Sequence, residues 1–198
     1  MQKGEFVRIN YRGIVKETGE VFDEGKNIPI VVGEGFVIRG LDEVIEKMNV
    51  DEKKKVELPP EKAFGKRRPE LIKVFPLSAF REHNLDPKPG MVVNIDGVLG
   101  RIVSVSSGRV TVDFNHPLTG KHIIYEVEIL SKIEGEEEKA KALVEYFFGE
   151  KEKFSVEINK ESVKVYIEKP VPESVKIPIS ETMKKFLGVK EVTFLEKQ

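Results

Sequence analysis

The residues able to do chemistry gather around one apolar bend. Gly33-Glu34-Gly35-Phe36-Val37-Ile38-Arg39-Gly40 follows the extended apolar run Ile28 to Val32 and precedes a short amphipathic stretch. Loops are normally polar because they run over the surface, so Phe36, Val37 and Ile38 strung together suit the lining of a dry pocket. Asp23, directly after Phe22, is the carboxylate placed to work beside such a pocket; as a bare structural residue it would accept backbone N–H groups in a turn. Tyr11, Phe22 and Tyr125 are either core aromatics or pocket walls. Covalent and metal chemistry find no support: Cys is absent, and His83, His116 and His122 are scattered without the spacing of metal ligands. No cofactor is expected. Gly33, Gly35 and Gly40 invite a dinucleotide-loop reading, but bulky Phe36-Val37-Ile38 stands where backbone must approach a pyrophosphate.

The elements that must position these residues are legible from periodicity. Glu5 to Val15 alternates apolar and charged residues, a half-buried strand, and Glu20 to Asp23 resumes it after the turn at Glu17-Thr18-Gly19-Glu20. Leu41, Val44, Ile45 and Met48 fall at i, i+3, i+4 and i+7, the buried stripe of one short helix. Lys53 to Leu58 alternates again and Pro59-Pro60 stops it, since neither residue donates to a ladder. Lys121 to Ile133 supplies another strand, with Ile123, Tyr125, Val127 and Ile129 on one face.

Between Gly65 and Asn115 the character changes. Lys66-Arg67-Arg68-Pro69 opens the stretch as a hinge, Leu71 to Phe75 predicts a strand, and Pro76 to Glu82 a turn or two of helix. Met91 to Ile95, Val98 to Val105 and Arg109 to Phe114 are short β runs joined by the hairpin turns Asp96-Gly97 and Ser106-Ser107-Gly108. From Gly135 a helix with buried face Ala140, Leu143, Val144, Phe147 and Phe148 runs to Gly149. A strand pair (Phe154 to Ile158, Val163 to Ile167) follows. After a proline-punctuated crossing come a short helix with Met183, Phe186 and Leu187, and a closing strand. A unit of about 65 residues is marginal alone. It is expected to pack on the body of the protein or on another copy, as a homodimer.

Several blocks, taken in order, resemble the FKBP-type peptidyl-prolyl isomerases, and within them the SlyD-like branch. They are Val7 to Gly13, Gly19 to Asp23, Val32 to Met48 (VGEGFVIRGLDEVIEKM), Leu58 to Gly65 (LPPEKAFG), Asn115 to Gly120 and Tyr125 to Ile129. The resemblance implies an α+β fold: an FKBP-like antiparallel sheet wrapped on one short helix (1–65 plus 116–133), an insert-in-flap chaperone-type module (66–115) and a C-terminal α+β domain (134–198). It further implies that Tyr11, Phe22, Val37, Ile38, Leu41, Phe64 and Tyr125 wall a proline pocket. Asp23 would sit at its rim and hydrogen-bond Tyr11, the Ile38 N–H would hold a substrate carbonyl, and Leu118 would approach from the flap. Phe64 stands where the family usually has tyrosine, and Leu41 where the human prototype has tryptophan. Both changes remove polar handles, so macrolide inhibitors are expected to bind less well than peptide.

Prolyl isomerisation asks for no nucleophile or metal. Amide resonance sets a barrier of about 18–20 kcal/mol, and an apolar site shaped for the twisted amide lowers it by differential binding. The expected partners are therefore prolyl peptides and unfolded or partly folded chains. In the insert, Leu71, Ile72, Val74, Phe75, Phe80, Met91, Val93, Val98 and Leu99 are the residues from which a client surface would be drawn. Competing readings are a catalytically silent holdase and a translation-associated RNA-binding protein, the latter resting on Lys53-Lys54-Lys55 and Lys66-Arg67-Arg68. The 33 Lys and Arg nearly cancel the 34 Asp and Glu, and no stacking aromatics interleave with the basic runs, so nucleic acid is not expected. The chain starts without an apolar leader and holds no membrane-length apolar run; with no Cys, a cytoplasmic location is expected.

Overall fold

The alternation of β-branched and charged residues makes strands, and glycines and prolines cut them. A computed structural model of the chain describes residues 1–149 and 153–196; the remaining residues of the expected C-terminal domain lie outside that description. In chain order the elements are β1 (Phe6–Val15), β2 (Val21–Val31), α1 (Arg39–Ile45), β3 (Lys53–Leu58), β4 (Ile72–Pro76), α2 (Leu77–Glu82), β5 (Val92–Ile95), β6 (Val98–Ser106), β7 (Arg109–Asp113), β8 (Ile123–Lys132), α3 (Glu136–Phe148), β9 (Phe154–Ile158), β10 (Ser162–Ile167), α4 (Glu173–Leu187) and β11 (Glu191–Glu196). The fold is α+β, with largely antiparallel sheets. Two compact units result: Met1–Leu58 with the chain from His122 onward, and Pro59–Lys121.

In the first unit a four-stranded antiparallel sheet has the order β2-β1-β8-β3. β8 alternates as its sequence demands, with Ile123, Tyr125, Val127 and Ile129 buried. Leu41 and Ile45 on α1, and Met48 just beyond it, are buried too. The helix is shorter than its stripe, ending at Ile45.

The segment from residue 134 shares one core with this sheet. Phe6, Val31 and Ile133 belong to the same apolar cluster as Leu143 and Val144 of α3, Val163 and Val165 of β10, and Ile179 and Met183 of α4. The body thus supplies the cover that so small a unit needs. Its sheet runs β11-β10-β9, with β10 and β11 parallel. The expected short final helix is instead the long α4, which absorbs Pro178 in its interior. An internal proline costs roughly 3 kcal/mol, and full burial of Ile179 and Met183 on the same helix offsets it. Gly188, in the left-handed region at φ 70°, stops it.

The second unit is a four-stranded antiparallel sheet of order β4-β7-β6-β5. Its core is Phe80, Val93, Ile102, Val110 and Val112, with Phe75, Leu77, Leu85, Met91, Ile95, Val105 and Phe114 packed around it. Gly100 faces Val93 across β5 and β6. A Cβ there would sit 2.5 Å from Val112 Cγ1, so only glycine leaves room for this core. The flap segments expected to belong to the first domain fall in this unit: Gly120 N–H donates to the Gly65 carbonyl (2.8 Å) and the Phe64 and His116 rings stack at 5.0 Å.

Candidate active site

The site is built on the inner face of the first sheet, and two glycines make room for it. Gly25 lies opposite Tyr11 across β1 and β2, and Gly13 opposite Asp23. A Cβ on Gly25 would meet Tyr11 Cε1 at 2.5 Å, and one on Gly13 would meet Phe22 Cζ at 2.5 Å. The register of β1 on β2 is irregular between Gly13 and Ile14. Such a bulge re-aims side chains, and beside it Asp23 lines the hollow of the site while the Phe22 ring packs on Tyr125.

The apolar bend is held by a carboxylate that periodicity assigned no role. Asp42, 6% exposed in the first turn of α1, accepts the N–H of Gly33 on Oδ1 (2.8 Å) and that of Gly35 on Oδ2 (3.0 Å). Both glycines have left-handed backbone, φ 74° and 78°, where a Cβ is strained. Sequence reasoning had no signal for this contact beyond an acid beside a glycine-rich turn.

These elements enclose a hollow of about 450 Å³ lined by Tyr11, Asp23, Ile28, Ile30, Gly35, Phe36, Val37, Ile38, Leu41, Tyr125 and Tyr146. Six of the expected site residues (Tyr11, Asp23, Val37, Ile38, Leu41 and Tyr125) therefore meet in one place. Phe22 stands behind the wall, its ring edge-on to Tyr125 at 6.0 Å. Phe64 and Leu118 belong to the second unit, where the Leu118 N–H donates to His116 Nδ1 (3.2 Å). Among the described residues nothing accepts the Ile38 N–H. Tyr146, from α3, is a lining residue that the sequence did not single out.

Burial, with the nearby Asp23 charge, pushes Tyr11 up to about 12. Burial also raises Tyr125, with the Asp23 charge and Tyr11 adding to it. Both phenols thus stay protonated donors at neutral pH. Above the ordinary phenol value near 10, the unfolded chain releases a proton that folded Tyr11 keeps. Stability from this group is therefore full below pH 10 and lost as pH rises through about 12. Denaturant midpoints are expected to hold from pH 7 to 9 and fall above 10, with a shallower fall in Tyr11→Phe; an equal fall in both proteins would contradict the assignment.

In the second unit the exposed large apolar residues are Leu99 (65%), Val74 (59%), Val92 (57%), Val98 (54%) and Val103 (48%). Register puts Val92 opposite Arg101 and Val74 opposite Thr111, on the face turned away from the core. Of the residues expected at a client surface, Phe80 and Val93 are instead core, because α2 and the inward positions of β5 close the sheet's other side. Leu71, Ile72, Phe75 and Met91 are half-buried, while Val74, Val98 and Leu99 are open. Val92 and Val103 were not anticipated; strand parity against a known inner face would have found Val92.

Comparison with known proteins gives the family of the chain. Residues 73–118 match the family model described as FKBP26, IF domain. A short-type peptidyl-prolyl cis-trans isomerase of Methanocaldococcus jannaschii is 32% identical over 146 residues, 65% of this chain and 92% of that protein. A probable FKBP-type 16 kDa peptidyl-prolyl cis-trans isomerase of Pseudomonas fluorescens is 31% identical over 104 residues, covering 50% of this chain and 68% of that protein. The FKBP-type 16 kDa enzyme of Escherichia coli is 30% identical over 113 residues, covering 54% and 75% respectively. The chain belongs to the FKBP-type peptidyl-prolyl cis-trans isomerase family.

Proposed function

We propose that this protein is a SlyD-like, cytoplasmic folding helper that isomerises prolyl bonds in the hollow between β1, β2, β8 and α1, while the inserted module holds unfolded chain. The observation that carries the reading is the convergence of Tyr11, Asp23, Val37, Ile38, Leu41 and Tyr125 on one apolar pocket. A planar prolyl amide is charge-separated and well solvated, whereas the twisted form has lost its resonance. Moving the bond from water into the pocket favours the twisted form. The Ile38 N–H donates to a substrate carbonyl, and Asp23, whose carboxylate lies near the Tyr11 phenol, orients the prolyl group from the rim. A homodimer through the C-terminal module remains part of this proposal, read out by its mass in solution.

The test is protease-free exchange of a prolyl tetrapeptide by wild type and Asp23→Ala. Asp23 is exposed, so its loss should leave folding intact. The kcat/KM is expected to fall about tenfold, near 1.4 kcal/mol of transition-state binding. Full activity in both Asp23→Ala and Tyr11→Ala would remove the site.

The open apolar face of the insert favours a second reading, a holdase without catalysis; it predicts client binding with no exchange at all. The RNA-binding reading is not carried forward. Lys53, Lys54 and Lys55 pair with Glu128 (3.0 Å), Glu52 (3.0 Å) and Glu126 (2.8 Å). Lys66, Arg67 and Arg68 pair with Glu61 (2.8 Å), Asp113 and Glu70 (3.9 Å). Each of these cations has an acid beside it, so no strongly basic patch forms to attract phosphates.

A further inference from the structure

The C-terminal module reaches the pocket, and the contacts it makes there converge on one short segment. The Tyr146 hydroxyl donates to the Phe36 carbonyl at 2.7 Å. Its ring lies 4.6 Å from the Phe36 ring, and Phe186 of α4 meets that same ring at 6.2 Å. Lys185, also on α4, pairs with Glu34. Next to Tyr146, Glu145 takes a two-point grip on Arg8 of β1 (2.9 and 2.8 Å), which braces α3 against the sheet. Glu34 and Phe36 flank Gly35, an exposed residue with left-handed backbone. Two residues beyond Phe36 lies Ile38, which contributes to the pocket lining.

We propose that Tyr146 is a positioning residue of the isomerase site, fixing the Phe36–Ile38 backbone so that the Ile38 N–H is held ready for substrate. The C-terminal module is then a working part of the pocket. This rests on the isomerase reading above. Asp42 anchors the bend at Gly33 and Gly35, and among the described residues it is the Tyr146 hydroxyl that donates to the Phe36 carbonyl. Burial raises the Tyr146 phenol above its ordinary value, so it remains a donor throughout the neutral range. Its ring also closes one side of the hollow, so hydroxyl and ring have separable roles.

The experiment uses full-length Tyr146→Phe and Tyr146→Ala beside wild type and Asp23→Ala in prolyl tetrapeptide exchange. Losing a neutral hydrogen bond is expected to raise KM about three- to tenfold in Tyr146→Phe. Its kcat should stay within about twofold and its melting temperature within about 3 °C. Backbone order at Val37 and Ile38, read by amide NMR relaxation, should fall. Tyr146→Ala, which also opens the wall, should lose more, and Tyr146→Phe carries the test should the alanine variant fail to fold. Unchanged KM in Tyr146→Phe, in an assay where Asp23→Ala loses activity, overturns the proposal; so does a fall in kcat that tracks a lowered melting temperature, the mark of a merely structural residue. A wild type without exchange activity overturns the isomerase reading, and this proposal with it.

Discussion

A protein carrying Val74→Ser, Val92→Ser and Leu99→Ser together is expected to lose about tenfold or more of its catalysis of proline-limited refolding. A prolyl tetrapeptide should still be turned over within about twofold of wild type. All three side chains are more than half exposed, so the substitutions vacate no core and create no buried unpaired hydroxyl. What they remove is apolar area, at roughly 25 cal/mol per Å² of surface taken from water. A tethered site that holds a client raises the local concentration of its prolyl bonds to about the millimolar range, and that gain disappears with the contact. A tetrapeptide relies on the pocket alone. The check is refolding of a proline-limited client alongside peptide exchange; equal losses in the two assays, or none in either, would exclude a client-holding role for this face.

Asp42→Ala should be the most damaging single change at the site. It strands two backbone N–H groups that now bond a buried carboxylate. Each hydrogen bond to a charged group contributes about 1.5–3 kcal/mol, and water can reach the exposed Gly35. The expected cost is therefore about 2–4 kcal/mol, a large part of a typical domain's stability. Asp42→Asn keeps one acceptor oxygen and should lie between. Because the bend carries Val37 and Ile38, peptide exchange should fall in both variants even at temperatures where they remain folded. Denaturant unfolding midpoints decide the matter: a loss below about 0.5 kcal/mol in Asp42→Ala would show that the bend holds itself.

The parts legible in the sequence were those governed by short-range rules. Alternation in β8, the stripe of α1 and the Asp96-Gly97 hairpin involve neighbours a few residues apart. Ile38 and Asp23 stood out through the apolar bend itself, whereas Tyr11 and Tyr125 were assigned to the pocket only through the family resemblance, since periodicity cannot tell a core tyrosine from a pocket wall. What escaped depends on distance along the chain. Tyr146 lies off the Ala140, Leu143, Val144, Phe147 stripe of α3, and its acceptor is 110 residues away. The helix through Pro178 is favoured by burial of Ile179 and Met183, a tertiary gain that outweighs a local penalty. Within the insert, apolar composition was plain but the buried face was not, so Val93 and Val92 were indistinguishable until the pairing of β5 with β6 was known.

The junctions of the insert have a consequence for the host sheet. The chain leaves β3 at Leu58 before the second unit and enters β8 at Ile123 after it, and these two residues are paired. Entry and exit are thus a single strand spacing apart, about 4.8 Å. The host sheet therefore needs nothing from its passenger but two ends that meet. Lengthening such a connection adds closure entropy only logarithmically, so the size of what is carried at this joint weighs little on the fold that does the chemistry.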